Sequence, residues 1–315
     1  MELNDLIVYA RGAFRRYDDA RVGLLTHGLN YGTGCFEGIR GYWNEEDQEL
    51  YLLHLREHYD RLAISAKILL MALPHTTDEL IDITVELCAR NGFKHNVYIR
   101  PVAFKSAEDI GVRLHGVSEA LTIVAVPYEG YFAAAEGLRT CVSSWRRAED
   151  TIAPARAKIT GNYVNSALAK SDAQRSGFDE AILLSHDGHV SEGSAENIFL
   201  VKGGVLYTPD PAQNILEGVT RRCVISLAQR ELGMTVVERA IDRSELYGAD
   251  EIFFTGTAVG IVPVGSVDHR QVGSGARGPV TRSLAEMYDR IVNGREPAYR
   301  GWLTPTYEAQ RVPVA

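Results

Sequence analysis

The run A-K-I-T-G-N-Y-V-N-S-A-L-A-K (residues 157–170), with G-F-D-E-A-I-L-L (177–184) and V-S-E-G-S-A-E-N-I-F-L (190–200) after it, is the part of the chain that everything else serves. Lys158 stands just before a Gly-Asn-Tyr turn. The acidic pair Glu192 and Glu196 lies between two apolar runs that read as neighbouring strands. Lysine is scarce, with six in 315 residues, and arginine fills almost every other basic position. A guanidinium keeps its proton, so a lysine retained here suggests chemistry that needs a neutral amine, such as imine formation. A plain surface charge is the alternative, and this run alone leaves both open.

Upstream, N-D-L-I-V-Y-A (4–10) reads as an opening strand that turns at Arg11-Gly12. Glycines 28, 32, 34, 38 and 41 then alternate with Tyr31, Phe36 and Tyr42, which allows a tight loop that could approach a ligand or an ordinary bulged hairpin. Residues 52–69 begin as strand and become a helix with Leu55, Tyr59, Leu62, Ala66 and Leu69 on its buried stripe; Arg56 and Arg61 fall off that stripe. A capping box from Thr76 to Glu79 starts a second helix that ends at Asn91-Gly92. Residues 97–104 alternate as a strand with Tyr98 and Arg100 on one face, and 119–127 form another strand.

Tyr128-Glu129-Gly130-Tyr131 reads as a linker. The expected organisation is therefore a small N-terminal α/β domain (1–127), a linker (128–137) and a large C-terminal domain (138–315). Downstream, strands 197–201 and 205–208 pair across a Gly-rich turn. A helix starts after Gly218 with Val219, Cys223, Val224, Leu227, Ala228 and Leu232 inward. Its first amides, beside Thr220, make a phosphate site, and the break at Gly256-Thr257-Ala258 between two buried strands is a second place where amides are presented. A last helix (280–292) turns Leu284, Met287, Ile291 and Val292 inward, and the tail reads as irregular.

Composition narrows the function. A net charge of −8 argues against a nucleic-acid or anionic-membrane partner, since both need a basic footprint. No apolar run approaches spanning length, and M-E-L-N-D lacks a secretory pattern, so a cytoplasmic protein is expected. Cys35, Cys88, Cys141 and Cys223 show neither metal-ligand nor disulfide spacing; buried thiols are the expectation, with no metal.

Seven stretches in order, H-G-L-N-Y-G-T-G-C-F-E-G-I-R, R-E-H-Y-D-R-L, Y-I-R-P, K-I-T-G-N-Y, V-S-E-G-S-A-E-N-I-F, L-E-G-V-T-R and F-F-T-G-T-A, resemble the fold-type IV pyridoxal-phosphate enzymes. Within that group the chain most resembles the bacterial branched-chain amino-acid aminotransferases, from about Tyr9 to Pro305. The resemblance implies an α/β (α+β two-domain) fold of the D-amino-acid aminotransferase type. It implies pyridoxal 5′-phosphate as cofactor, and amino-group exchange between branched-chain L-amino acids and 2-oxoglutarate.

Position by position, the resemblance makes Lys158 the residue that takes the cofactor's aldehyde and shuttles the proton. Glu192 would pair with the pyridine nitrogen, Tyr163 with the ring O3′, and Leu216 would pack on one ring face. Arg61, Val219, Thr220, Gly256 and Thr257 would hold the phosphate, with Arg56 a rival to Arg61. Arg100 would meet the second carboxylate of glutamate beside Tyr98, and Phe36, Tyr128 and Tyr131 would line the apolar wall. The Thr257-Ala258 turn would receive the α-carboxylate. Tyr31 and Val112, with its loop 110–112, would come from a neighbouring subunit, which implies a homo-oligomer, either a dimer or a trimer of dimers.

Some positions depart from the family pattern. Tyr128 stands where tryptophan is common, Gly260 for a glutamate and Ala195 for a glycine, while Lys105 and Arg113 add charge near the pocket loop. They bear on the donor accepted and keep a D-amino-acid or (R)-amine transaminase as the alternative. The Y-x-R pair favours the L-branched-chain reading. An aminodeoxychorismate lyase would need neither Arg100 nor Tyr31, and a non-catalytic homologue would be expected to lack Lys158 or Glu192.

Overall fold

Strand alternation over 97–127 and helical periodicity over 55–91 build one sheet with two helices on it in the computed structural model, which describes residues 3–130 and 136–308. Two compact units share these residues. The first comprises 3–129, 157–161 and 290–308; the second, 130, 136–156 and 162–289. Segments 157–161 and 290–308, assigned by sequence to the C-terminal domain, thus pack in the first unit.

In the first unit, β1 (Ile7–Ala10) and β2 (Ala13–Arg16) join through Arg11 (φ 53°) and Gly12 (φ 76°), the left-handed pair that suits the twist of a two-residue hairpin. A short helix α1 (His27–Tyr31) precedes β3 (Gly34–Phe36), β4 (Ile39–Asn44) and β5 (Glu49–Leu53). His54 (φ 49°) turns the chain from β5 into α2 (Leu55–Ile68). The capping box at Thr76 starts α3 (Thr77–Asn91), and left-handed Gly92 stops it. β6 (Val97–Lys105) and β7 (Glu119–Pro127) complete the run.

The eight-stranded sheet has the order 303–305, β5, β4, β6, β7, β1, β2, with β3 also on β6. Helices α2 and α3 cover the face bearing Val97, Ile99, Ala103, Leu121 and Ile123, and their own stripe of Leu55, Tyr59, Leu62 and Ala66 is fully buried there. The alternation that buries this face leaves Tyr98 and Arg100 on the other. The tail is more ordered than its sequence suggests: Leu303–Pro305 adds an edge strand to β5. The Glu49 carboxylate holds it by accepting the N–H groups of Thr306, Tyr307 and Glu308 at 2.7–2.8 Å. Three residues ending in proline carry no periodicity to read, and an edge is where a sheet tolerates proline.

In the second unit, β8 (Leu138–Arg146) and β9 (Glu180–Leu184) are parallel, so the chain between them must cross over; it does so through α4 (Tyr163–Arg175). Lys158 lies in that crossover, just ahead of α4. There follow β10 (Val190–Gly193), β11 (Asn197–Lys202), β12 (Val205–Thr208), α5 (Val219–Arg230) and β13 (Val236–Glu238). Then come β14 (Glu251–Gly256), β15 (Gly260–Val267), β16 (Arg270–Gln271) and α6 (Pro279–Val292). The nine-stranded sheet runs β10, β9, β8, β15, β14, β11, β12, β13, with β16 on β15. Helix α5 ends at Arg230, which leaves Leu232, expected in the core, 38% exposed. Met287 is half-buried rather than fully inward.

Candidate active site

The first unit gathers one group around β3, β4, β6 and the 157–161 segment. Phe36 donates its N–H to the Lys158 carbonyl (3.0 Å), and the Lys158 N–H is held by Ser65 Oγ on α2 (3.1 Å). Both neighbours are buried, so the lysine backbone is fixed on two sides, and its Nζ lies 5.0 Å from the centre of the Phe36 ring. The Arg100 guanidinium sits 4.5 Å from the same ring and donates to the Tyr98 hydroxyl (2.9 Å). Tyr98 and Tyr128 have ring centroids 5.3 Å apart. A second guanidinium, Arg40, pairs in register with Tyr98 across β4 and β6 and lies 4.9 and 4.8 Å from the Tyr42 and Tyr128 rings. Aromatic rings and guanidinium groups on one sheet face make a wall that suits an aliphatic chain or a carboxylate.

Arg61 is tied into this unit by Glu37. Its Nε and Nη2 donate to the two carboxylate oxygens at 2.7 and 2.8 Å, and His58 Nδ1 donates to the same carboxylate at 2.7 Å. Glu37 is wholly buried. Burial alone would raise its carboxyl, but the charge and hydrogen bonds of Arg61, then of His58, outweigh that and hold it well below the usual carboxylate range. Burial lowers His58, against the raising effect of its bond to Glu37. Arg56, the rival, is an exposed side chain paired with Asp78. Tyr31 and Val112 form a separate, exposed group, in which the Gly111 N–H donates to the Tyr31 hydroxyl at 3.1 Å. Tyr131 lies outside the described residues.

The second unit carries the other group. Glu192, on β10, accepts Asn197 Nδ2 at 3.0 Å and the Leu216 N–H at 3.1 Å on one oxygen, and Arg147 Nη2 at 3.0 Å on the other. Asn197 also donates to the Leu216 carbonyl (2.8 Å), which ties the 216–218 turn to β11. A Cβ on Gly218 would come within 2.1 Å of Asn197 Oδ1, so only glycine lets this turn close up before α5. Val219 and Thr220, both buried, then open α5, where first-turn amides have no intrahelical acceptor. Half-buried Tyr163 opens α4. Gly256, Thr257 and Ala258 make the tight connection from β14 to β15, where Gly260 takes φ 68°.

Sequence reasoning missed Arg147, Asn197, Glu37 and Arg40. Asn197 directly follows Glu196 in the motif, and Glu37 sits inside F-E-G-I-R, so both could have been found; Arg147 directly follows an unremarkable strand and gave no signal. Of the acidic pair, Glu196 has different surroundings from Glu192: its carboxyl receives the Ala195 N–H (3.0 Å), and burial, with Glu180 nearby, pushes it up to about 8. Lys105 faces away from Tyr98 and Arg100, buried against the Leu70 carbonyl (2.7 Å) and Glu119 (3.0 Å), so it adds no charge beside them. Among the described residues no cluster could hold a metal ion, and no helix is long and apolar enough to cross a membrane.

The chain is similar to known proteins over most of its length. Residues 34–267 match the model of the family described as amino-transferase class IV. A probable branched-chain-amino-acid aminotransferase from Aquifex aeolicus is 46% identical over 92% of this chain and 94% of its own. The branched-chain aminotransferase of Thermoproteus uzoniensis, solved with norvaline, superposes with a TM-score of 0.92 at 46% identity, covering 96% of this chain and 99% of that one. The holo, PLP-form enzyme of Thermobaculum terrenum gives 0.93 at 37% identity over 97% and 99%. Lysine, paired glutamate, helix start and aromatic wall thus occur in a chain that belongs to the class IV aminotransferases.

Proposed function

We propose that this protein is a pyridoxal 5′-phosphate-dependent branched-chain-amino-acid aminotransferase, exchanging the amino group of L-leucine, L-isoleucine or L-valine with 2-oxoglutarate. Its near full-length likeness to branched-chain enzymes supports the activity. The observation that carries the substrate choice is the face bearing Phe36, Tyr98, Tyr128 and Arg100, apolar rings with a guanidinium among them. The donor set fits the cofactor: an amine at Lys158, a carboxylate at Glu192 fixed by neutral and cationic donors, and a glycine-closed helix start at Gly218.

When bound, the cofactor supplies an aldehyde for the amino group and a ring that draws electrons from the substrate carbon. Lys158 anchors it and carries the proton on and off the substrate Cα. Glu192 holds the ring-nitrogen proton, while Arg147, Asn197 and the Leu216 amide hold and aim that carboxylate. Arg61, the α5 amides of Val219 and Thr220, and Gly256-Thr257 hold the phosphate. Tyr163 donates to the ring oxygen and Leu216 covers one ring face. Arg100 takes the side-chain carboxylate of glutamate, Tyr128 and Phe36 the aliphatic chain, and the Thr257-Ala258 amides the α-carboxylate. Tyr131 is assigned to the same apolar wall.

The assembly is at least a homodimer, a trimer of dimers being one form of it. Leu24, Leu29, Ile110 and Val112 are 62–87% exposed beside Tyr31, an apolar group that a second copy would cover. Four free cysteines, three of them buried, suit a reducing cytoplasm.

Half-reaction kinetics with Arg100→Leu test the substrate choice. The L-glutamate half-reaction should slow by about 100-fold, the cost of removing one partner of a buried charge pair, and the L-leucine half-reaction by less than about threefold. Equal losses with both donors would remove Arg100 from carboxylate recognition. Faster turnover of D-alanine or (R)-1-phenylethylamine than of L-leucine would favour the alternative transaminase.

A further inference from the structure

Arg61 and Ser65 are one helical turn apart on α2, and each holds one end of the machinery assigned above. Ser65 Oγ, wholly buried, accepts the Lys158 N–H at 3.1 Å. Arg61 is chelated by Glu37, also wholly buried, at 2.7 and 2.8 Å. Glu37 in turn directly follows Phe36, whose N–H donates to the Lys158 carbonyl at 3.0 Å, and Cys35 bridges Ile159. His58, one turn before Arg61 on α2, closes the arrangement with its 2.7 Å bond to Glu37. The lysine backbone and the arginine side chain are therefore joined by two short routes, through Ser65 on the helix and through Glu37 on the strand connection.

A bidentate carboxylate fixes the plane of a guanidinium, and an i, i+4 step fixes the rise between two side chains at about 6 Å. Together they set the distance between a phosphate anchor and an imine-forming lysine before any ligand arrives. We propose that Glu37 and Ser65 are positioning residues: Glu37 orients Arg61 toward the cofactor phosphate, and Ser65 presents Lys158 to the cofactor aldehyde. This rests on the assignment of Arg61 and Lys158 above. The physical gain is pre-organisation, since an arginine and a lysine held in place lose little side-chain freedom on binding. Neither positioning residue contacts substrate.

The two roles separate in a binding assay that needs no turnover. Apoprotein is titrated with pyridoxal 5′-phosphate and, separately, with pyridoxal, which has the aldehyde but lacks the phosphate; absorbance reads binding and circular dichroism reads folding. Glu37→Gln should weaken pyridoxal 5′-phosphate by about tenfold or more while leaving pyridoxal unchanged, so the preference for the phosphorylated form falls. Ser65→Ala should weaken both ligands alike and keep the preference. Glu37→Gln added to Arg61→Leu should cost nothing further.

Equal weakening of both ligands by Glu37→Gln, or unchanged binding in both single variants, overturns the proposal. If Arg61→Leu loses the preference while Glu37→Gln keeps it, the positioning role fails and the phosphate assignment stands. If Arg61→Leu keeps the preference, the assignment itself falls, and the proposal with it. Should Glu37→Gln not fold, Glu37→Asp, which withdraws the carboxylate by one methylene, is read by the same comparison.

Discussion

Single side chains in this protein show how environment, not residue type, assigns a role. Two glutamates four positions apart look equivalent in V-S-E-G-S-A-E-N. Glu192 is met by a cation and two N–H donors, whereas Glu196 is buried near Glu180 and pushed up to about 8. Its folded pKa stands above the usual unfolded value of about 4.3, so its contribution to stability is complete below that value and is lost as pH rises to about 8. Glu196→Gln, which cannot ionise, should therefore melt progressively higher than the parent as pH goes from 5 to 8.5, by about 2 °C or more at the upper end. Parallel melting curves across that range would mean that Glu196 is ionised in the folded protein. Glu37 has the opposite sign: its depressed carboxyl contributes at neutral pH, and that contribution is lost in acid.

Elements were legible where local chemistry dictates them. Helix α3 starts and stops where Thr76, Glu79 and Gly92 require; the cap is reciprocal, with the Glu79 N–H on Thr76 Oγ1 and the Thr76 N–H on Glu79. Thr76→Ala should cost about 1 kcal/mol of stability, read as a lower Tm with unchanged half-reaction rates. A cost in rate without a cost in Tm would show that α3 has a part in the site. The β6 alternation likewise separated Tyr98 and Arg100 from the core face. The 303–305 strand was not legible, because its order comes from Glu49, more than 250 residues away in the chain. Lys105 was misplaced for a related reason: its charge is compensated by Glu119 and a carbonyl that spacing does not reveal.

Across the whole molecule, the seven motifs and the resemblance they carry anticipated the fold and the family, while the crossing of 157–161 into the first unit was not visible from order along the chain. The proposed sharing of sites between subunits has its own consequence. Lys158→Ala and Tyr31→Ala should each be nearly inactive alone, and mixing them under subunit exchange should restore roughly a quarter of parental activity by forming one intact site per mixed dimer. No recovery on mixing would place Tyr31 in its own subunit's site. Beneath all of this lies the role of Lys158, which one experiment settles: borohydride reduction of the protein with pyridoxal 5′-phosphate, followed by peptide mass mapping. A pyridoxyl-phosphate adduct on the peptide containing Lys158, lost when L-leucine is added before the reductant, is the expected result. An unlabelled Lys158, or label on another lysine that L-leucine does not remove, would refute the assignment of this chain's chemistry.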